Sequence, residues 1–132
     1  MPAENGWRTF EVGDVLTFSV PAEVQLHEGQ SVDSLAGVLN GDRYQITYDY
    51  GRFSEPVEDN RTLPGFAVKD ARIGSRRSKI ASFRDDGNEL GLPFARLLRV
   101  EDGGNALTLR VSCRDEAACS IADAIFESVQ FR

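Results

Sequence analysis

The sequence predicts an α+β fold: an antiparallel, hairpin-built sheet of seven or eight strands covered on one face by a single C-terminal helix. Three observations carry this expectation. Four pairs of segments with period-two apolar alternation are joined by short turns rich in glycine, which is the signature of β-hairpins. The end of the chain changes to helical spacing. The length of 132 residues, with 41% hydrophobic and 27% charged, suits one domain over residues 1–132 with one real core. The alternative closure of the same strands is an eight-strand barrel carrying the same helix.

The first hairpin runs from Trp7–Val12 to Val15–Val20. Phe10 and Val12, then Leu16, Phe18 and Val20, alternate with polar residues, and Gly13-Asp14 supplies a tight turn. Pro21 ends the second strand because it has no N–H for a ladder. Residues 22–32 form a connecting loop with a short extended piece at Val24–Leu26. The second hairpin pairs Ser34–Leu39 with Arg43–Gly51 across Asn40-Gly41. By the two-residue period Tyr44, Ile46, Tyr48 and Tyr50 share one face, so all three tyrosines of the protein lie together.

Ser54–Pro64 follows as an acidic loop longer than most connections, the kind that is functional or mobile. A third hairpin spans Phe66–Ile73 and Arg76–Arg84 around Gly74-Ser75, with Lys69 interrupting its apolar face. The fourth spans Pro93–Val100 and Ala106–Cys113 around Asp102-Gly103-Gly104, with Leu107, Leu109 and Val111 facing inward. Ala118, Ile121, Ala122, Ile125 and Val129 then recur at helical intervals. With Asp115 and Glu116 at its N-terminus they predict one amphipathic helix over roughly 115–128. Burial of Ile121 and Ile125 contributes ~1.5–3 kcal/mol each.

The net charge of −6 argues against nucleic acid as a partner. The charge is uneven. Residues 1–60 carry 3 Lys/Arg against 11 Asp/Glu, whereas residues 61–114 carry 11 against 6. That basic middle, including Arg72, Arg76, Arg77, Lys79 and Arg84, either neutralises acidic neighbours across the sheet or forms a polyanion-binding face. Arg76 and Arg77 are expected close to the turn, where both can be exposed. No apolar run approaches the ~18 residues of a membrane span, and Met1-Pro2-Ala3-Glu4 lacks the basic and apolar regions of a signal peptide.

Five residues separate Cys113 from Cys119. This is not CxxC spacing, and with one histidine in the chain it is no zinc set, so no metal site is expected. The pair reads as a local disulfide of an oxidising compartment, with two buried thiols as the alternative. His27 is expected to be an exposed loop residue. The acid pairs Glu58-Asp59, Asp85-Asp86 and Glu101-Asp102 sit in turns, where carboxylates solvate the backbone. No GxSxG, GxGxxG, P-loop or EF-hand pattern occurs, so no cofactor is expected. Asn60-Arg61-Thr62 matches a glycosylation acceptor by its three residues alone. The strongest binding candidates are Asp49, Tyr50 and Arg52, with Arg76 and Arg77 from the basic hairpin, because tyrosine and arginine combine apolar area with directed donors.

Four short blocks carry a resemblance: Asp33-Ser34-x-x-Gly37, Tyr48-Asp49-Tyr50-Gly51-x-Phe53-Ser54, Ile73-Gly74-x-Arg76 and Ile125-Phe126-x-Ser128-Val129-x-Phe131. They resemble a group of small, uncharacterised bacterial exported proteins similar in shape to PsbP-like or Mog1-like domains. The resemblance implies an antiparallel sheet with helices against it, a periplasmic or secreted location with any signal or lipid anchor removed, and no established activity. The chain departs from PsbP-like domains in offering only one clear helix. The function expected is a non-catalytic binding module for an envelope component or a protein partner. One alternative is a small apolar-ligand carrier, its cup lined by Tyr44, Ile46, Tyr48 and Phe53. The other is a hydrolase using loop carboxylates, Asp49 and Glu58 among them.

Overall fold

The computed structural model describes residues 6–26 and 35–132. Strands β1 (Trp7–Val12), β2 (Leu16–Pro21), β3 (Gln25–Leu26), β4 (Ala36–Asn40) and β5 (Tyr44–Gly51) come first. Strands β6 (Ala67–Ile73), β7 (Arg76–Arg84), β8 (Phe94–Asp102) and β9 (Asn105–Cys113) follow, then helix α1 (Ala122–Glu127) and a last strand, β10 (Gln130–Phe131). Seven strands form one antiparallel sheet in the order β3-β4-β5-β9-β8-β7-β6, and β1-β2-β10 form a separate sheet of three. The large sheet is open, so the barrel alternative is not formed. His27, Asp33 and Ser34 lie outside the described residues.

The front face of the large sheet carries the main core. Tyr48, Leu109 and Leu98 stand side by side on neighbouring strands and are buried beneath Phe10 and Phe18 of the small sheet. Phe10 meets both Phe18 and Tyr48 at ring-centroid distances of 5.4 Å, within the range of favourable tilted and edge contacts. Helix α1 closes the layer with Ile125 and Phe126 fully buried. Tyr44 and Ile46 are buried in this same core, and Phe53 stands 92% exposed on the surface. The expected apolar cup is therefore packed solid on one side and open to solvent at Phe53.

Turn chemistry departs from expectation in detail. The second hairpin turns through Gly41-Asp42-Arg43, with Asn40 still paired to Gln45 in the ladder. Gly41 is required by crowding: a Cβ there would lie 2.2 Å from the Tyr44 ring. The fourth hairpin is tighter than expected, because Asp102 pairs with Asn105 and only Gly103-Gly104 remain as the turn, Gly103 at φ 65°. The helix starts later than its spacing predicts. Asp115 Oδ1 accepts from the Ala118 N–H at 2.8 Å, a 3-10 turn occupies Ala118–Ile121, and α-helix begins at Ala122. Cys113 and Cys119 are joined by a disulfide with Cα atoms 5.3 Å apart. It ties the end of β9 to that 3-10 turn, and closing so short a loop contributes about 2 kcal/mol.

The Ser54–Pro64 segment is neither open nor loosely attached. Val57–Asn60 form a 3-10 turn whose Val57 is buried against Ala81, Phe83, Ala95 and Leu97 on the back face of the sheet. Leu63 and Phe66 pack on the same cluster. Thr108 Oγ1 donates to the Glu55 carbonyl at 2.8 Å, and the Arg84 N–H donates to the Pro64 carbonyl at 2.8 Å. The protein thus has a second, smaller core behind the sheet. Asn60 is buried and its amide donates to Glu55 at 2.7 Å, which removes it as a glycosylation acceptor in the folded chain.

Candidate functional site

The five residues singled out by sequence fall on three surfaces. Tyr50 and Arg76 come together on the front face at one end of the sheet. Tyr50 Oη donates to Asp102 Oδ2 at 2.6 Å, and Arg76 Nε donates to Asp102 Oδ1 at 3.2 Å. The Arg76 guanidinium lies 4.2 Å from the Phe131 ring centroid, a cation–π geometry. Arg76 is therefore held in a packed network and is not the free cation expected near a turn. Asp49 is exposed on the back face, directly opposite Ala36 and Thr108. Arg52 is exposed beyond β5, its guanidinium 5.8 Å from the Phe53 ring. Arg77 points to the back face, as its alternation with Arg76 requires.

The Tyr50–Asp102–Arg76 network is a stability element with a definite pH signature. The Tyr50 hydrogen bond, then the Arg76 guanidinium, hold the Asp102 carboxyl below its ordinary 3.8 against the opposing effect of burial. Burial and the Asp102 hydrogen bond raise the Tyr50 hydroxyl above its ordinary 10.0. A carboxylate depressed in the folded state adds stability above its unfolded pKa and loses it as pH falls through the folded one. A raised tyrosine adds stability below its ordinary pKa that is lost as pH climbs past it. Urea unfolding across a pH series is thus expected to fall more steeply below pH 3.8 in the native chain than in Asp102→Asn. Parallel acid limbs would remove the network from the account.

The basic middle of the sequence is mostly neutralised within the fold. Arg76, Arg84, Arg96, Arg99, Arg110 and Lys79 each lie within 4.0 Å of a carboxylate. The acid pairs are split in the process. Asp85 goes to Arg110 and Asp86 to Arg84, while Glu101 goes to Arg99 on the back face and Asp102 to Arg76 on the front. Glu58 and Glu101 do line one groove, but each is within ion-pair distance of a cation, Lys79 and Arg99, which favours the ionised carboxylate over the protonated acid that glycosidase chemistry also needs. Among the described residues no group of three or more His, Cys, Asp or Glu is placed to hold a metal ion.

What remains is a groove of about 620 Å³ on the back face, between the Val57–Asn60 turn and the outer strands β6 and β7. Arg72, Arg77, Lys79 and Arg99 line it, with Glu58, Asp70 and Glu101. Arg72 and Arg77 are directly opposite in the β6–β7 register, where like charges are unfavourable. Neither has a carboxylate within ion-pair distance among the described residues. The Arg72 guanidinium is held only by the Ser75 carbonyl at 3.2 Å. Deeper in the groove Arg99 Nε is buried without a hydrogen-bond partner among the described residues, although its Nη1 lies 3.5 Å from Glu101. A buried unpaired donor is uncommon. Two opposed guanidiniums, with the Arg99 Nε–H beside them still without an acceptor among the described residues, form an arrangement suited to carboxylate or phosphate oxygens.

Sequence reasoning found Arg77 but missed Arg72 as its partner and missed Arg99. The first was available: a two-residue Gly74-Ser75 turn sets Ile73 opposite Arg76 and Arg72 opposite Arg77. The groove wall was not, because it depends on Val57 folding back onto the sheet.

Among solved structures the chain is similar to the solution structure of cyanobacterial PsbP (CyanoP) from Synechocystis sp. PCC 6803. The TM-score is 0.61, and the match covers 98% of this chain and 95% of that one. The fold is PsbP-like. Sequence identity is 11%, so the likeness extends to the fold alone. No family model matches the chain, and no curated protein matches it in sequence.

Proposed function

We propose that the protein is a non-catalytic binding module, periplasmic or secreted, that takes an anionic segment of an envelope component or of a protein partner in the back-face groove. The observation that carries this reading is the Arg72–Arg77 pair, directly opposite in the β6–β7 register with no carboxylate within ion-pair distance of either among the described residues. An anion seated there relieves their repulsion and gains two charge-assisted donors. The whole chain carries a net charge of −6, so a polyanion is held by local cations rather than by the overall charge. The Cys113–Cys119 disulfide supports an oxidising compartment.

The test is a titration of the protein with poly-L-glutamate and, separately, with inorganic polyphosphate, to distinguish carboxylate from phosphate ligands. Arg72→Ala with Arg77→Ala is expected to weaken binding by about tenfold or more and to flatten its salt dependence. Arg114→Ala, an exposed cation away from the groove, is expected to change little. Equal losses in the two variants would reduce the effect to general charge and remove the site.

A further inference from the structure

We infer that the chain self-associates through the outer edge of β6, antiparallel and centred on Ala71. β6 is the last strand of the seven-stranded sheet, and among the described residues no strand pairs with its outer side. Its register with β7 is continuous from Ala67↔Ser82 to Ile73↔Arg76, so it is a regular edge with no proline. Such an edge invites pairing unless charge prevents it. Lys69, Asp70 and Arg72 are exposed along it and discourage an arbitrary partner strand.

The same charges fit a second copy. A two-fold axis through Ala71, perpendicular to the sheet, places Asp70 of each copy opposite Arg72 of the other, both on the back face. Lys69 then faces Ile73, where its apolar stem can lie against the side chain. Moving the axis by one residue sets Asp70 against Asp70 or Arg72 against Arg72, and like charges directly opposite are unfavourable. The complementary register is therefore also the selected one. It brings a carboxylate to Arg72, which otherwise faces only Arg77 across the hairpin. Arg77 remains without a carboxylate within ion-pair distance among the described residues, and the two grooves adjoin across the axis. The edge that carries this inference shares Arg72 with the ligand reading, so anion binding is measured at concentrations where sedimentation shows the monomer.

Sedimentation velocity of the full chain from micromolar to millimolar concentration tests it. A concentration-dependent monomer–dimer equilibrium is expected. Asp70→Arg is expected to weaken it by about tenfold, because two attractive pairs become repulsive. Asp70→Arg combined with Arg72→Asp restores the complementarity and is expected to return the dissociation constant to within about threefold of the native value. Both positions are exposed, and circular dichroism of each variant reports its fold. A chain that stays monomeric to millimolar concentration overturns the inference, as does a dimer that Asp70→Arg leaves unchanged or that the double exchange fails to restore.

Discussion

Ile125→Asp is expected to abolish folding. Ile125 is 0% exposed, on the helix face that closes the main core over β2. An aspartate there is taken out of water with no cation placed to receive it, a loss of ~3–5 kcal/mol or more against a total stability on the order of 5–15 kcal/mol. The removed apolar volume adds to the deficit. Ile125→Val keeps the packing apolar and is expected to lose only about 0.5–1.5 kcal/mol. Urea unfolding followed by circular dichroism separates these cases. A cooperative transition for Ile125→Asp near the native midpoint would mean that the helix does not close the core.

The second large effect is expected behind the sheet. Val57→Asp places a charge in the smaller core, whose wall is made by Ala81, Phe83, Ala95 and Leu97. The front core shares none of these side chains, so the loss is expected to be local: the 54–66 segment detaches while the sheet persists. Stability falls by ~2–4 kcal/mol. Hydrogen exchange reads the division directly. The Arg84 and Leu63 amides, bonded to the Pro64 and Asn60 carbonyls, lose protection, and those of β9 keep it. Polyanion binding falls with them, because Val57 and Glu58 form one side of the groove. Simultaneous loss of protection in β9 would show that the two cores are one cooperative unit.

Much of the fold was legible because it is built from local signals. Alternation placed Phe10, Val12, Leu16, Phe18 and Val20 inward, and all five are buried. The Gly74-Ser75 turn fixed the β6–β7 register residue for residue. The spacing of Cys113 and Cys119 pointed to the bridge that forms. The features that stayed hidden are those set by tertiary contact. β10 is two residues long, too short for a period, and exists because Gln130 and Phe131 pair with Thr17 and Leu16 of β2. The first hairpin splits from the large sheet, which pairing signals within a hairpin do not encode. The 54–66 segment reads as a polar loop because the apolar residues that anchor it, Val57, Leu63 and Phe66, are isolated among polar residues, prolines and glycine and follow neither a strand nor a helix period.

The candidate site was legible in composition and not in arrangement. The tyrosines that stood out in sequence serve the core. Tyr44 Oη donates to Glu23 at 2.8 Å, and burial is the main cause that raises its pKa. Tyr50 belongs to the Asp102 network. Arg76, Lys79, Arg96 and Arg110 meet carboxylates contributed by distant strands or turns, pairings that the order of residues in the chain does not show. Arg72 and Arg77 are distinguished from Arg76 by face, and a one-residue difference in strand position decides between a structural ion pair and an unneutralised surface.

The most direct measurement of the central claim is amide chemical-shift mapping of the labelled protein during titration with poly-L-glutamate or polyphosphate. The back-face groove predicts that shifts concentrate at Arg72, Arg77, Lys79 and Arg99 and along the Val57–Asn60 turn, leaving the Asn40–Arg43 turn and Arg114 unmoved. Shifts centred on that opposite end of the sheet, or spread evenly over every exposed cation, would contradict it.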